Sequence, residues 1–391
     1  MSKTQKEFRI AVAGLGHRIA TVLRHVLAAA PSMKIAGYAD PAPAGLASLE
    51  QHGIEAGAPF DSVEALIAGT KPDLLMVGSP NHLHLAHIKA GLEAGVRVFT
   101  EKPVVRTAEE TFELAELLRD HGEASVLVGL VLRSSPLVRE VRRHFDEGKL
   151  GTLISFEGNE HLHPEHGGFL MRDWRRDSAH GGSYLLDKCC HDFDLYRLFA
   201  GALPARVASF GGRRIFTPEH EALKQEKYPG GEAAYSLWPG GWNGASEVFG
   251  SKGDAVDHQT ALIHYENGVQ LAFHTNTHAG ILQRRWYFAG TKGALEADLV
   301  TNTLTYSEAF GRRPREEETV GGNLHEHYGS DPQMGKDLAA HLLEGAPFPV
   351  QVYDAMVAGL TVMAADQAMR EGKIVDCAPL WQRLHAALGR A

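Results

Sequence analysis

The chain has 391 residues, with 39 lysines and arginines against 48 aspartates and glutamates, a formal net charge of −9. This length suits two domains of ordinary size. At 44% hydrophobic and 22% charged residues, the chain can bury a core without disulfide staples, which excludes a disordered, collagenous or disulfide-scaffold protein. An acidic balance is a poor match for nucleic acid or an anionic membrane, so neither is an expected partner. Cys189 and Cys190 are adjacent and Cys377 stands alone; a reducing compartment, the cytoplasm, is therefore expected. Met1 to Phe8 carries no apolar signal-peptide core. No apolar run approaches the ~18–20 residues that span a bilayer.

The first 130 residues alternate strand-like and helix-like segments. Phe8 to Ala13 is a short β-run ending in Gly14-Leu15-Gly16. A helix follows, with Ile19, Val22, Leu23, Val26 and Leu27 on one stripe. Met33 to Ala39 is a second strand stopped by Asp40-Pro41, and residues 43–52 read as a helix. Asp61 is the expected N-cap of a helix through Ile67. Asp73 to Gly78 has the two-sided apolarity of a buried parallel strand. A helix from His82 to Ala94, a strand from Val96 to Thr100, a helix from Thr107 to Asp120 and a strand from Ser125 to Leu130 complete the pattern. It predicts an α/β fold, a doubly wound parallel sheet over residues 1–130.

Residues 131–391 read as a second, α+β domain with a large, mostly antiparallel sheet. Thr152 to Gly158 is its first strand, residues 159–180 read as a polar loop, and a helix spans Gly182 to Ala200. Further strands are expected near 205–214, 258–266, 268–276, 283–289, 293–299 and 302–307, with Asn267-Gly268 as a tight hairpin signal. Residues 216–255 form a Gly- and Pro-rich excursion containing Trp238 and Trp242, which suit sugar stacking or an oligomer contact. Three helices are expected from Asp331 onward, and they can pack back on the first domain.

Several motifs carry chemistry. Gly14-Leu15-Gly16 ends a strand and opens a helix, the context of a dinucleotide fingerprint. Its third position is Ile19 rather than Gly or Ala. An acid at Asp40 suits ribose hydroxyls and repels a 2′-phosphate, favouring NAD over NADP, although Arg18 could serve a phosphate. Ser79-Pro80-Asn81-His82-Leu83-His84 and Glu101-Lys102-Pro103 each follow a strand at the ligand-binding end of such a sheet. A lysine there can stabilise a developing alkoxide. Asp187 and His191 share a helix face at i, i+4, and a histidine beside a carboxylate is a tunable base; Asp194 lies one turn further on. His161, His163 and His166 could be a metal cluster, but substrate hydrogen bonding is the favoured reading and no metal is expected. Arg172-Asp173-Trp174-Arg175-Arg176 suits polyol hydroxyls, a carboxylate or ring stacking.

Together these motifs resemble the Gfo/Idh/MocA oxidoreductases, the glucose–fructose oxidoreductase and inositol dehydrogenase family. The residues that carry the resemblance are Gly14 to Gly16, Asp40, Ser79 to His84, Glu101-Lys102-Pro103, Arg133-Ser134-Ser135-Pro136, and Gly181-Gly182 through Asp187, His191 and Asp194. The resemblance implies an N-terminal Rossmann domain and an open-sheet C-terminal domain that forms homodimers or homotetramers. It implies hydride transfer between NAD or NADP and a hydroxyl carbon of a sugar, polyol or sugar derivative. The implied catalytic residues are Lys102, Asp187 and His191. The implied cofactor contacts are Gly14, Leu15, Gly16, His17, Arg18, Ile19, Asp40, Ser79, Asn81, His84, Glu101 and Lys102. Substrate contacts are expected from Lys102, His163, Trp174, Arg175, Asp187 and His191. Some relatives hydrolyse glycosides by transient sugar oxidation on tightly bound NAD, and that is the alternative activity.

Overall fold

The computed structural model describes residues 7–235, 247–250, 253–311, 316–320 and 325–390. Trp238 and Trp242 lie outside these residues, as does part of the 216–255 excursion. The chain forms two compact units. One comprises Met1–Ser135, His325–Met356 and Arg383–Ala391; the other comprises Pro136–Leu324 and Val357–Gln382.

The first unit contains strands β1 (Phe8–Ala13), β2 (Met33–Ala39), β3 (Ala58–Pro59), β4 (Leu74–Val77), β5 (Arg97–Thr100) and β6 (Val126–Val128). They form one parallel sheet in the order β3-β2-β1-β4-β5-β6. Helices α1 (His17–Ala29), α2 (Leu46–Gln51), α3 (Val63–Thr70), α4 (His84–Glu93) and α5 (Ala108–His121) make the connections. Every residue of β4 is buried, as expected for a strand covered on both faces. The stripe read on α1 is its core face: Ile19, Val22, Leu23 and Val26 are buried. The N-cap of α3 is Ser62, not Asp61; the Ser62 hydroxyl accepts from the Ala65 amide at 3.1 Å. Thr107 caps α5 in the same way, through the Glu110 amide at 3.1 Å.

The second unit begins with α6 (Pro136–Asp146), β7 (Leu153–His161), α7 (Pro164–Leu170), α8 (Ser178–Gly181) and α9 (Tyr184–Ala200). Residues 159–180 are therefore not a plain loop. They finish β7 and then fold into short helical pieces. Close backbone approach explains this: a Cβ on Gly167 would sit 2.0 Å from the Thr277 carbonyl oxygen, and one on Gly168 2.8 Å from that of Tyr235. Strands β8 (Pro204–Gly212), β9 (His258–Tyr265), β10 (Gln270–Asn276), β11 (Arg285–Gly290), β12 (Gly293–Asp298), β13 (Thr303–Glu308), β14 (Glu316–Thr319) and β15 (Val375–Asp376) follow. The nine-stranded sheet has the order β14-β13-β12-β11-β7-β10-β9-β8-β15. All pairs are antiparallel except β7 with β10. The hairpin turns at Asn267-Gly268, with Gly268 at φ 88°. The inner face of the sheet packs on α9, Phe156 and Phe273 meeting Phe193 and Tyr196 of the helix.

The excursion after β8 has its own small core around Met171, Phe216, Tyr235, Val248 and Phe249. Asp257 anchors it. The buried carboxylate accepts from the backbone amides of Arg214, Ile215 and Phe216 at 2.7 to 3.1 Å.

The tail forms α10 (Ser330–Glu344), α11 (Val352–Glu371) and α12 (Ala378–Ala387). It is divided between the units: Val357–Gln382 belongs to the second, whereas α10 belongs to the first and packs on α1, where Gly335 lets the backbones approach. A Cβ there would meet the His25 carbonyl carbon at 2.7 Å.

Candidate active site

In the first unit the glycine loop stands at the carboxyl end of β1. Gly14 has φ 81°, a left-handed conformation that favours glycine. A Cβ on it would also strike the Ser79 amide nitrogen at 2.4 Å. Gly16 is the N-cap of α1, and no side chain caps the first turn. A Cβ there would meet nothing closer than the Gly78 carbonyl oxygen at 3.9 Å. The open face and the helix amides make a cradle for a pyrophosphate.

Ile19 at the third fingerprint position is fully buried, with its Cβ only 2.5 Å from where a Cβ on Gly78 would stand. The close helix–strand approach is thus kept by a glycine on the strand side.

Asp40 ends β2 and holds the loop. Its Oδ2 accepts from the Leu15 amide at 2.6 Å, and its Oδ1 from the Ala42 amide at 2.7 Å. His17 is exposed. Arg18 is engaged by two carboxylates: Nε donates to Glu101 Oε1 at 2.9 Å and Nη1 to Asp331 Oδ1 at 2.6 Å. Its Nη2 is buried and has no hydrogen-bond partner among the described residues.

The two loops after β4 and β5 are joined by His84, which is 1% exposed. Its Nδ1 lies 2.8 Å from the Pro103 carbonyl oxygen and its Nε2 2.9 Å from that of Ser79. Burial pushes its pKa down, against both carbonyls. A neutral imidazole has one N–H, so it donates to one carbonyl at a time. His84 is therefore a buried cross-tie between the loops. Ser79 Oγ lies 3.0 Å from Nδ1 of His87. Asn81 is buried. Lys102 follows buried Glu101, whose Oε2 accepts from the Lys102 amide at 3.3 Å, and the Lys102-Pro103 bond is cis.

In the second unit, Ser183 caps α9 through the Leu186 amide at 3.0 Å. Buried Asp366 of α11 bonds Ser183 and Gln259; burial pushes its carboxyl up to about 6, against those bonds. Asp187 and His191 follow one turn apart, 6% and 4% exposed, with Asp194 buried one turn beyond. Arg175 Nε lies 3.6 Å from Asp187 Oδ2. Its guanidinium is stacked on Phe169 and Trp174, 4.1 Å from each ring centroid. Gly181 packs against the Arg175 backbone: a Cβ there would sit 3.1 Å from the Arg175 carbonyl oxygen. Trp174, Arg175 and Asp187 are thus brought together. His163 is half-buried at the start of α7, where its carbonyl accepts the His166 and Gly167 amides. The His161 ring packs on that of His274, 4.7 Å between centroids, and His166 on Phe169. Among the described residues no three His, Cys, Asp or Glu side chains converge on a metal position.

The flank of α9 away from Asp187 fixes the helix rotation. Lys188 lies 2.9 Å from Glu160, and Arg284 lies 2.8 Å from Glu160 while donating to both oxygens of Asp192 at 2.9 and 2.6 Å. Two cations and two carboxylates are neutralised here in the interior. Cys189 faces the sheet, 3.8 Å from Thr275 Oγ1, and does not share the Asp187 face. Sequence reasoning missed Asp331 and the ion cluster: Arg18 and Asp331 are 313 positions apart, and no local pattern links them.

A profile described as "Oxidoreductase family, NAD-binding Rossmann fold" matches residues 8–130, and the Gfo/Idh/MocA C-terminal domain profile matches residues 138–296. YteT of Bacillus subtilis (strain 168) is 24% identical over 357 residues, 80% of this chain and 81% of that one. The scyllo-inositol 2-dehydrogenase (NAD(+)) of the same strain is 25% identical over 214 residues, 53% of this chain and 58% of that one. Levoglucosan dehydrogenase, in complex with NADH and levoglucosan, superposes with a TM-score of 0.75 at 19% identity, over 95% of this chain and 99% of that one. The first unit is an NAD-binding Rossmann domain, and its uncapped α1 terminus, with open space beside Gly16, fits such a ligand. Among the described residues no helix is long and apolar enough to cross a membrane.

Proposed function

The chain belongs to the Gfo/Idh/MocA oxidoreductase family, and on that premise we propose that it is an NAD-dependent dehydrogenase of a sugar, polyol or sugar derivative. The observation that carries the reading is the pair Asp187 and His191, buried one turn apart on α9 with Arg175 against the carboxylate. The scyllo-inositol and levoglucosan dehydrogenases among the relatives support the substrate class.

Bound NAD supplies the hydride acceptor for the carbinol carbon. Lys102 Nζ donates a hydrogen bond to the substrate oxygen and stabilises charge that develops there. His191 accepts the hydroxyl proton. Asp187, steadied by Arg175, orients the histidine or a neighbouring hydroxyl; His163 and Trp174 complete the substrate contacts. Gly14, Leu15, Gly16, His17, Ile19, Ser79, Asn81 and His84 shape the cofactor cradle. Asp40 favours NAD over NADP, because a 2′-phosphate beside it would meet a carboxylate while Arg18 is engaged elsewhere.

All three cysteines are free and buried, in keeping with a reducing compartment. We also propose a homo-oligomer, a dimer or tetramer, formed through the outer face of the nine-stranded sheet. Phe210 (76% exposed) and Leu262 (55%) stand there with Tyr287 and Ile374.

The experiment is cofactor reduction across polyols, aldoses, sugar acids and glycosides, with NAD and NADP separately. Reduced NAD is expected with a secondary-alcohol substrate, and Lys102→Ala is expected to lower kcat by about 100-fold or more while still binding NADH. Unchanged turnover in Lys102→Ala would remove the lysine from the mechanism. Sugar release from a glycoside without accumulation of reduced cofactor would establish the hydrolytic activity instead.

A further inference from the structure

Arg18 lies in the first turn of the cofactor-binding helix, yet two of its donors serve carboxylates. Glu101 Oε1 takes Nε at 2.9 Å, and Asp331 Oδ1 takes Nη1 at 2.6 Å. Glu101 is 6% exposed, and its second oxygen accepts the Lys102 amide. Asp331, in the first turn of α10, is 2% exposed and keeps its second oxygen 2.8 Å from His327 Nδ1. Burial opposes the charge on Asp331, but Arg18 and His327 outweigh burial and hold its carboxyl below the ordinary range. A second arginine of α1, Arg24, donates to Glu326 at 2.8 Å. Between these anchors Glu326, His327 and Tyr328 have φ of 55°, 52° and 58°, and Gly329 has 79°. Three successive left-handed residues other than glycine persist only where their surroundings over-determine them. The 326–331 segment is therefore held in place against α1, and it presents Asp331 to Arg18.

Resting on the reading of Lys102 as catalytic, we propose that Arg18 and Asp331 are positioning residues for that lysine, acting through Glu101. The planar guanidinium fixes two carboxylates at a set angle, which an ammonium cannot do. Asp331 orients Arg18, Arg18 neutralises and fixes Glu101, and Glu101 holds the amide from which the Lys102 side chain springs. Without Arg18, a buried carboxylate stands beside Lys102 with its countercharge removed. The Lys102 ammonium then turns toward Glu101 and away from the substrate oxygen. The lysine is displaced, and the nucleotide cradle is left standing.

This makes a prediction that a purely structural arginine does not. Arg18→Met should lower kcat by ~100-fold, the usual scale for a misplaced reacting group, with NADH affinity, read by fluorescence, within about threefold of wild type. Glu101→Gln added to Arg18→Met should restore kcat at least tenfold, because the charge that captures Lys102 is gone. Arg18→Lys keeps one ion pair, should fold, and should fall between wild type and Arg18→Met. Thermal unfolding of each variant with NADH bound serves as the folding control. Additive losses in the double variant, wild-type kcat in Arg18→Met, or a loss in NADH affinity that matches the loss in kcat would each overturn the positioning role. Lys102→Ala separates the two levels. Full turnover in that variant overturns the lysine's role and this inference with it, whereas an inactive Lys102→Ala beside a fully active Arg18→Met overturns the Arg18 link alone.

Discussion

The helix–strand contact beneath the dinucleotide loop offers a quantitative test. In Gly78→Ala the new Cβ would stand 2.5 Å from Ile19 Cβ, 2.8 Å from Ile19 Cγ2 and 2.9 Å from the Gly14 carbonyl oxygen. None of these is the loose end of a flexible side chain. The first is the root of a fully buried residue on α1, and the last is backbone of the glycine loop proposed to hold the cofactor. Relief requires α1 or the loop to move, at a cost of roughly 1–3 kcal/mol. Ile19→Gly alone empties a core site and places a glycine in a helix, costing roughly 3–5 kcal/mol. In the double variant the alanine methyl occupies space vacated by Ile19, so the combined loss should fall short of the sum by at least about 1 kcal/mol. Urea denaturation of the four proteins measures the stability terms, and NADH titration measures the loop. NADH affinity should fall in Gly78→Ala and recover in the double variant. Additivity within about 0.5 kcal/mol, or a Gly78→Ala protein as stable as wild type, would refute the idea that this glycine replaces the missing one on the helix.

Burial pushes the His87 imidazole down to about 4, below the value near 6.5 expected for the unfolded chain. The unfolded state then takes up the proton first, so the associated stability is complete above pH 6.5 and is lost as pH falls toward 4. The loss amounts to at most about 3 kcal/mol. Urea midpoints measured across that window should fall with acidity, and His87→Gln should flatten the slope; an unchanged slope would refute the assignment. Phe210→Asp with Leu262→Glu should lower the sedimentation mass at concentrations where wild type associates. An unaltered mass would exclude the outer sheet face as the interface.

Much of the fold is legible because hydrophobic periodicity is a strong signal where strands are buried on both faces. Leu74–Val77 and the stripe on α1 are examples. The strands that escape reading are two residues long, β3 and β15, or wholly exposed and acidic, as Glu316–Thr319 is. Residues 159–180 read as loop because their helical pieces are held by glycine contacts with distant backbone, not by any apolar repeat. The candidate site divides in the same way. Lys102, Asp187 and His191 are visible because their neighbours form local motifs. The Arg18–Asp331 bond and the Glu160–Asp192–Arg284–Lys188 cluster join positions far apart in the chain, and only the folded structure brings them together. The third fingerprint glycine looked absent because its steric role had moved to Gly78, just beyond the end of β4.

Hydride transfer from a carbinol carbon to NAD can be followed by isotope labelling. A substrate from the panel, deuterated at the carbon to be oxidised, is incubated with NAD and wild-type protein, and the reduced nucleotide is examined by mass spectrometry. One deuterium is expected in the reduced NAD, with slower turnover than for the unlabelled substrate. Product formation with no deuterium in the nucleotide would contradict it.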